Sequence, residues 1–142
     1  MKIGELARAT HTTPETIRYY EKEGLLSQPP RTDGNYREYG PAHAERLRFI
    51  RNCRALDMTH GEIRVLLQAA DAPGPGCSEA SEMVREHMGH IDARIQELQA
   101  LKAQLATLHA RCVADGTGSC GILTGLAELE PLAAPARHTH LG

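Results

Sequence analysis

The chain has 142 residues, of which 41% are hydrophobic and only 4% aromatic, with one phenylalanine and no tryptophan. So few aromatic residues argue against a β-sandwich core, whereas the supply of Leu, Ala, Glu, Arg and Gln favours a mostly α protein. The net charge of −2 argues against a uniformly basic nucleic-acid binder, but residues 1–56 hold ten Lys and Arg against seven Asp and Glu, which suggests an anion-binding head on an acidic body.

The sequence shows no targeting or membrane-spanning segment. Its start, MKIGELARAT, lacks the apolar region of a signal peptide, and no stretch approaches the roughly 18 apolar residues of a membrane span. We therefore expect a cytoplasmic protein without a membrane partner. Because the cytosol is reducing, thiols or metal ligands are expected rather than disulfides at the four cysteines, Cys53, Cys77, Cys112 and Cys120.

Two short helices are predicted at the start of the chain. A helix over residues 3–9 places Ile3 and Leu6 on one face. Thr13 is a candidate N-cap for a second helix, which runs to about Lys22. Two short helices joined by a tight turn predict a helix-turn-helix.

The second helix has one apolar and one polar face. Ile17 and Tyr20 lie on its buried side, and Glu15, Arg18 and Tyr19 are turned outward.

A turn-rich segment follows, SQPPRTDGNYREYG. Asp33 and Gly34 form a strong hairpin-turn signal, and the alternation from Asn35 to Tyr39 fits a short strand. We predict a small β-hairpin wing.

Two further helices complete the predicted head. Pro41 begins one and Thr59 caps the next, which ends at the boundary sequence DAPGPG over residues 71–76. Their apolar positions predict the core: Leu47, Phe49, Ile50, Cys53, Ile63, Leu66 and Leu67.

A long helix is predicted from Ser78 to about Arg111. An apolar residue recurs every seven positions, as in a coiled coil. Packing of this seam on a second copy, as a homodimer, is the economical arrangement, and folding back onto the first domain is the alternative. The seam consists of Val84, Ile91, Leu98, Leu105 and Cys112, with Met88 and Ile95 between them.

The segments IGELARATHTTPETIRYYEKEGLL, NYREY and RLRFIRNCRALDM, in this order, resemble the DNA-binding head of MerR-type transcription regulators. The resemblance continues to about residue 127. Because Cys77, Cys112 and Cys120 are all present, the chain is most similar to the cadmium- and lead-responsive branch.

The resemblance implies a domain plan and a function. It implies a homodimer that binds double-stranded promoter DNA in which the spacer between the two polymerase elements is too long. On binding metal, the dimer would distort this DNA so that RNA polymerase engages both elements and metal-resistance genes are activated. The domains would be a winged helix-turn-helix over 1–70, a dimerisation helix over 78–111, a metal-binding loop and short helix over 112–128, and a flexible tail over 129–142.

A helix-turn-helix inserts its second helix into the major groove, and a wing adds backbone or minor-groove contacts. On this scaffold Arg18 can pair with guanine or phosphate and Tyr19 can reach a phosphate. The remaining arginines and Tyr36 suit phosphate contacts that set the register. The candidate DNA-contacting residues are Glu15, Arg18, Tyr19, Arg31, Tyr36, Arg37 and Arg54.

Cys112 and Cys120 enclose a glycine-rich loop. The spacing of the two cysteines alone is compatible with a metal site, a disulfide or a phosphate-binding loop. The reducing cytosol disfavours a disulfide, and a phosphate-binding loop would need a lysine after it, which is absent here. Soft divalent ions favour three thiolates, and Cys77 is the third candidate. About 35 residues of helix, or roughly 50 Å, separate Cys77 from Cys112 in one chain.

The resemblance implies that two long helices pack antiparallel, so that Cys77 of the partner subunit completes each site. In copper(I)-sensing relatives that position is commonly serine, which favours a divalent ion here. Cadmium is the expected effector, with lead, zinc and mercury as the other thiolate-binding candidates.

Histidines provide a possible second metal site. His87 and His90 share one face of the long helix, and the tail carries His138 and His140. Some cadmium-sensing relatives carry a histidine-rich tail with this role. The alternative is that these are surface histidines and a disordered tail.

Two other functions remain open from the sequence. Oxidation of Cys112 with Cys120 could replace metal as the signal, or the protein could buffer metal without regulating DNA. No Ser/His/Asp or paired-carboxylate arrangement suggests an enzyme.

Overall fold

The computed structural model describes residues 1–74, 76–114 and 120–130, and of residues 112–114 only the backbone. The described residues divide into two compact units, residues 1–84 and the described residues from Arg85 to 130. The mostly helical fold class is confirmed. In chain order the helices are α1 (Ile3–Ala9), α2 (Pro14–Lys22), α3 (Pro41–Ala55), α4 (His60–Asp71), α5 (Cys77–Ala114) and α6 (Gly121–Glu128).

The predicted helix starts are confirmed by their caps. Thr13 Oγ1 accepts a hydrogen bond from the backbone N–H of Thr16 at 3.2 Å. At α4, Thr59 and Glu62 form a reciprocal capping box, with Thr59 Oγ1 3.1 Å from the Glu62 nitrogen and Glu62 Oε1 2.9 Å from the Thr59 nitrogen. Each cap satisfies backbone donors that have no partner inside the helix.

Two apolar clusters form the core of the first unit. One joins α1, α2 and the wing to the start of α3: Leu6, Ala7, Ile17, Leu26, Tyr39, Ala44 and Leu47. The other joins α3 to α4: Leu25, Ile50, Cys53, Met58, Ile63, Leu66 and Leu67. Half-buried Tyr20 packs against both clusters, and Ala80 and Met83 from the first turns of α5 pack against the second.

The wing is a turn closed by one pair of residues, so the predicted strand from Asn35 to Tyr39 is wrong. Arg31 and Arg37 form a single antiparallel bridge. The turn between them is tight: the Thr32 nitrogen donates to the Tyr36 carbonyl at 2.7 Å, and Asn35 has φ +66°. Pro30 accepts a hydrogen bond from the Glu38 nitrogen at 3.0 Å but has no N–H to donate in return, so the pairing does not extend beyond this bridge.

The helix α5 is 38 residues long and begins and ends slightly beyond the predicted limits. Several of its large apolar side chains are exposed in the single chain, including Met88 (61%), Ile95 (47%), Leu98 (47%) and Leu105 (63%). Among the described residues, no helix is both long and apolar enough to span a membrane.

The short helix α6 packs closely on the end of α5. A Cβ atom built on Gly125 would lie 2.6 Å from Arg111 Nη1 and 2.7 Å from Leu108 Cδ2. A Cβ on Gly121 would lie 2.8 Å from Arg111 Cβ. Two glycines four residues apart on one helix face therefore allow this contact, and Leu108 is 6% exposed beneath it.

Candidate DNA interface and metal centre

The face of α2 that would read DNA is exposed. Ile17 is fully buried and fixes the helix on the core. Glu15 and Arg18 are exposed and Tyr19 is 45% exposed, as the sequence predicted. The helix therefore presents one acidic, one basic and one phenolic side chain together.

Tyr19 is held by the start of α4. Its ring centroid lies 5.4 Å from that of His60, and its hydroxyl is 3.4 Å from His60 Nδ1. Neighbouring Tyr20 meets the same imidazole edge-on at 5.9 Å. The contact limits the orientations that Tyr19 can take, which the sequence did not reveal because His60 is 41 residues away.

The wing carries the predicted phosphate-contacting residues Arg31 and Tyr36 at its surface. Arg31 Nη1 donates to the Asn35 carbonyl at 3.1 Å. This acceptor is neutral, so the contact does not compensate the positive charge of the guanidinium group. Tyr36 is 64% exposed, and the ammonium group of Lys2 lies 4.6 Å from its ring centroid. Lys2 thus adds a cation to the wing that the sequence motifs did not single out.

Arg37 points to a buried acid. Its Nη1 donates to Glu21 Oε2 at 2.8 Å, and the Tyr39 hydroxyl donates to Glu21 Oε1 at 2.6 Å. Burial, together with the bond to Glu21, raises the pKa of Tyr39, which keeps its hydroxyl a donor. Glu21 was missed as a functional residue, although it follows Ile17 by four positions and therefore lies on the buried side of α2.

Arg54, the last predicted DNA-contacting residue, supports the turn after α3. Its Nη1 donates to the Met58 carbonyl at 2.7 Å. Asp57, in this turn, has φ +64°. Burial raises the pKa of nearby Tyr20, and the charge of Arg54 opposes that rise. Arg54 therefore has a structural contact in addition to any contact with DNA.

Cys77 is exposed at the first position of α5. It lies at the edge of an open cavity of about 480 Å³ in the first unit. The backbone at Gly76, with φ +63°, passes close to α4, which only glycine allows, because a Cβ there would lie 2.4 Å from the Ala69 carbonyl oxygen. The other lining residues are Val65, Gln68, Ala72, Pro73, Ser78 and Glu79.

The other two predicted ligands belong to the far end of α5. Cys112 lies in its last turn, but its side chain and residues 115–119 fall outside the described residues. Cys120 is half-buried at the N-cap of α6, where its carbonyl accepts bonds from the backbone N–H and the hydroxyl of Thr124, each at 3.2 Å. The structure thus places Cys77 at one end of α5 and Cys112 at the other.

Cys53 belongs to the core, as predicted. It is 7% exposed, and burial raises the pKa of its thiol. A protonated thiol without solvent access is a poor metal ligand.

The two helix histidines predicted for a second metal site lie together. The ring centroids of His87 and His90 are 6.2 Å apart in an edge-on arrangement. His87 is only 5% exposed, so it is not a surface histidine. His138 and His140 fall outside the described residues, and the four-histidine site stays a prediction.

Comparison with known proteins decides the family. Residues 1–70 match the family model described as MerR HTH family regulatory protein, and residues 44–108 match that described as MerR, DNA binding. The HTH-type transcriptional regulator ZntR homolog of Haemophilus influenzae is 43% identical over 115 residues, covering 81% of this chain and 85% of that protein. The chain belongs to the MerR family.

Two solved structures of MerR-type regulators contain heavy metals. The transcription regulator PbrR691 from Ralstonia metallidurans CH34, in complex with lead(II), is 44% identical with a TM-score of 0.77, covering 89% of this chain and 98% of that one. MerR from Bacillus megaterium MB1, in complex with mercury(II), is 30% identical with a TM-score of 0.72, covering 89% and 99%. These relatives are transcription regulators, and the protein is accordingly not an enzyme.

Proposed function

We propose that this MerR-family protein is a homodimeric activator that responds to a soft divalent metal ion. The observation that carries the proposal is the position of the cysteines: Cys77 and Cys112 lie at opposite ends of one 38-residue helix, and Cys120 follows it. The two ends of one continuous helix of this length cannot meet within a single chain. A second, antiparallel chain can place one end beside the other.

The proposed dimer uses the seam of α5. Leu98 and Leu105 are 47% and 63% exposed in the single chain, on a helix whose other faces are largely polar. Complete burial of a leucine side chain contributes about 1.5–3 kcal/mol relative to full exposure, so covering the part of each that is still exposed contributes roughly half of this. The antiparallel orientation follows from the need to bring Cys77 of the partner subunit to Cys112 and Cys120.

The residues of the proposed site suit a soft divalent ion. Three thiolates match the preference of cadmium, lead, mercury and zinc, and the core position of Cys53 leaves the other three cysteines for this role. The lead and mercury complexes of the two similar regulators support this class of ion. Among these ions we propose cadmium or lead as the effector.

When bound, such an ion would join thiolates of the two subunits. The first turns of α5 can communicate this to the DNA-binding head, because Ala80 and Met83 pack against the cluster that also contacts Tyr20 of α2. A shift at Cys77 would therefore be transmitted through packed side chains to the helix that reads DNA. We propose that the dimer distorts a promoter with a long spacer in this way, so that RNA polymerase can engage it.

Mixed dimers test the shared site. We would combine Cys77→Ser subunits with subunits carrying Cys112→Ser and Cys120→Ser, and titrate cadmium while recording thiolate-to-metal absorbance in the ultraviolet. One site of the mixed dimer keeps all its cysteines, so we expect about half the wild-type absorbance from it. The Cys112→Ser, Cys120→Ser parent should give almost none, and the Cys77→Ser parent, with two thiolates left per site, should bind cadmium more weakly than the complete site does. Ser78→Ala, beside Cys77, is the matched control and should bind as the wild type does.

Equal loss of absorbance in the mixed dimer and in both parents would contradict a site shared between subunits. A promoter fusion titrated with cadmium, lead, zinc and mercury then identifies the effector. A response to peroxide without metal, unaffected by Cys77→Ser, would favour a thiol-redox regulator instead.

A further inference from the structure

A buried carboxylate joins the recognition helix α2 to the wing. The side chain of Glu21 is only 3% exposed. Its two oxygens accept one bond each, from Arg37 Nη1 at 2.8 Å and from the Tyr39 hydroxyl at 2.6 Å. Both donors lie in or next to the wing, 16 and 18 residues further along the chain.

Burial of a carboxylate is costly unless the charge is paired and hydrogen-bonded. Glu21 meets this condition through Arg37 and Tyr39 together. Tyr39 is itself 2% exposed and belongs to the first core cluster, so the carboxylate of Glu21 is bonded to a side chain that the core holds in place. Removal of Arg37 alone would leave a buried carboxylate with only a neutral donor, which is strongly destabilising.

The same contact changes what Arg37 can offer to DNA. A carboxylate at 2.8 Å compensates the guanidinium charge, and one of its nitrogens is already engaged. A phosphate would have to compete with this charge-assisted bond. Arg31, directly across the bridge from Arg37, donates instead to the neutral Asn35 carbonyl and is exposed.

We propose that Glu21 and Arg37 are positioning residues that fix the wing against the recognition helix, and that Arg37 is not one of the phosphate contacts. The wing's contacts with DNA are then made by Arg31 and Tyr36. The Glu21 contact holds the wing in place before DNA binds, so without it the same phosphate contacts form at a higher cost of ordering the wing. The proposal rests on DNA binding by the dimer, but it is independent of the metal site.

The salt dependence of DNA binding distinguishes an arginine that contacts a phosphate from one that only positions the wing. Each phosphate contact contributes about 0.9 to the slope of log K against log salt concentration. We would measure binding to a duplex that the wild-type protein selects from a random library, over a series of salt concentrations. Arg31→Gln is the matched control, and we expect it to lower the slope by about 1.8 per dimer, one contact in each subunit.

Arg37→Gln should weaken binding at fixed salt severalfold while leaving the slope at the wild-type value. The double variant Glu21→Gln, Arg37→Gln should melt at a higher temperature than Arg37→Gln alone, because it no longer buries an unpaired charge. A drop in slope for Arg37→Gln equal to that of Arg31→Gln would overturn the proposal.

The double variant also protects the test against misfolding. If Arg37→Gln does not fold, the double variant still lacks the guanidinium and has no buried charge, so its slope decides the same question. A wild-type slope supports the positioning role, and a slope reduced as in Arg31→Gln refutes it. Failure of the wild-type protein to select any duplex would instead count against the proposed DNA-binding function.

Discussion

At the scale of single residues, Cys53 and Cys77 differ in their surroundings. Cys53 is in the core with a raised pKa, whereas Cys77 is exposed at the start of a helix. A thiol must lose its proton to bind metal or to react with an electrophile. Burial and a raised pKa both oppose this at Cys53, so residue type alone does not identify a ligand in this chain.

Alkylation under native conditions should therefore separate these two thiols. Iodoacetamide should modify Cys77 at least about tenfold faster than Cys53, and Cys53 only on the timescale of unfolding. Mass spectrometry of peptides from a time course measures both rates in the metal-free protein. Cys53→Ala should leave metal stoichiometry unchanged; a loss of bound cadmium in this variant would make Cys53 a ligand.

At the scale of secondary-structure elements, packing of α6 on α5 depends on the absence of side chains. Gly121 and Gly125 face Arg111 and Leu108 at distances that no Cβ could occupy without movement. Because α6 begins directly after Cys120, this packing also positions Cys120, one of the proposed ligands.

Gly125→Val should displace α6 from α5. Overpacking of this kind costs about 1–3 kcal/mol, which we expect as faster amide exchange over residues 121–128 and as weaker cadmium binding. Gly61→Ala is the control, because a Cβ there meets only Thr59 Oγ1 at an ordinary 3.8 Å. Unchanged exchange in Gly125→Val would mean that α6 does not depend on this contact.

At the scale of the whole molecule, the single chain leaves an apolar stripe of α5 exposed, and the proposed metal site needs residues from both ends of that helix. The proposed antiparallel second copy would account for both features. Metal binding should therefore require the dimer, whereas the apolar seam allows the dimer to form without metal.

A charge on the seam should dissociate the dimer. Leu98→Glu places a carboxylate in the proposed interface, where two copies meet, and should weaken dimerisation at least about tenfold. Ala100→Glu adds the same charge roughly 200° around the helix, on an exposed face, and should leave the dimer intact. Sedimentation equilibrium measures both; equal behaviour of the two variants would place the interface elsewhere.

Sequence patterns were sufficient to predict the helices, because helix caps and buried helix positions depend on residues that are close together in the chain. The caps at Thr13 and Thr59, and the buried positions Ile17 and Cys53, follow from spacing over one or two turns. The wing was only partly predictable, since alternating residues form a ladder only when a partner strand is available. In the described part of the wing, the pairing stops at one bridge.

The contacts that give the site its geometry are not local. Glu21 meets residues of the wing, and Tyr19 meets His60. A surface arginine and an arginine paired with a buried acid have the same sequence signature. Only packing distinguishes Arg31 from Arg37.

The bond between Glu21 and the wing also limits how this regulator could be re-engineered for another promoter. A recognition helix transplanted from a different protein would change the bases that are read, yet its last turn must still supply a carboxylate to Arg37 and Tyr39. Helix and wing therefore form one exchangeable module. A graft that divides them would leave a cation and a phenol without their shared acceptor.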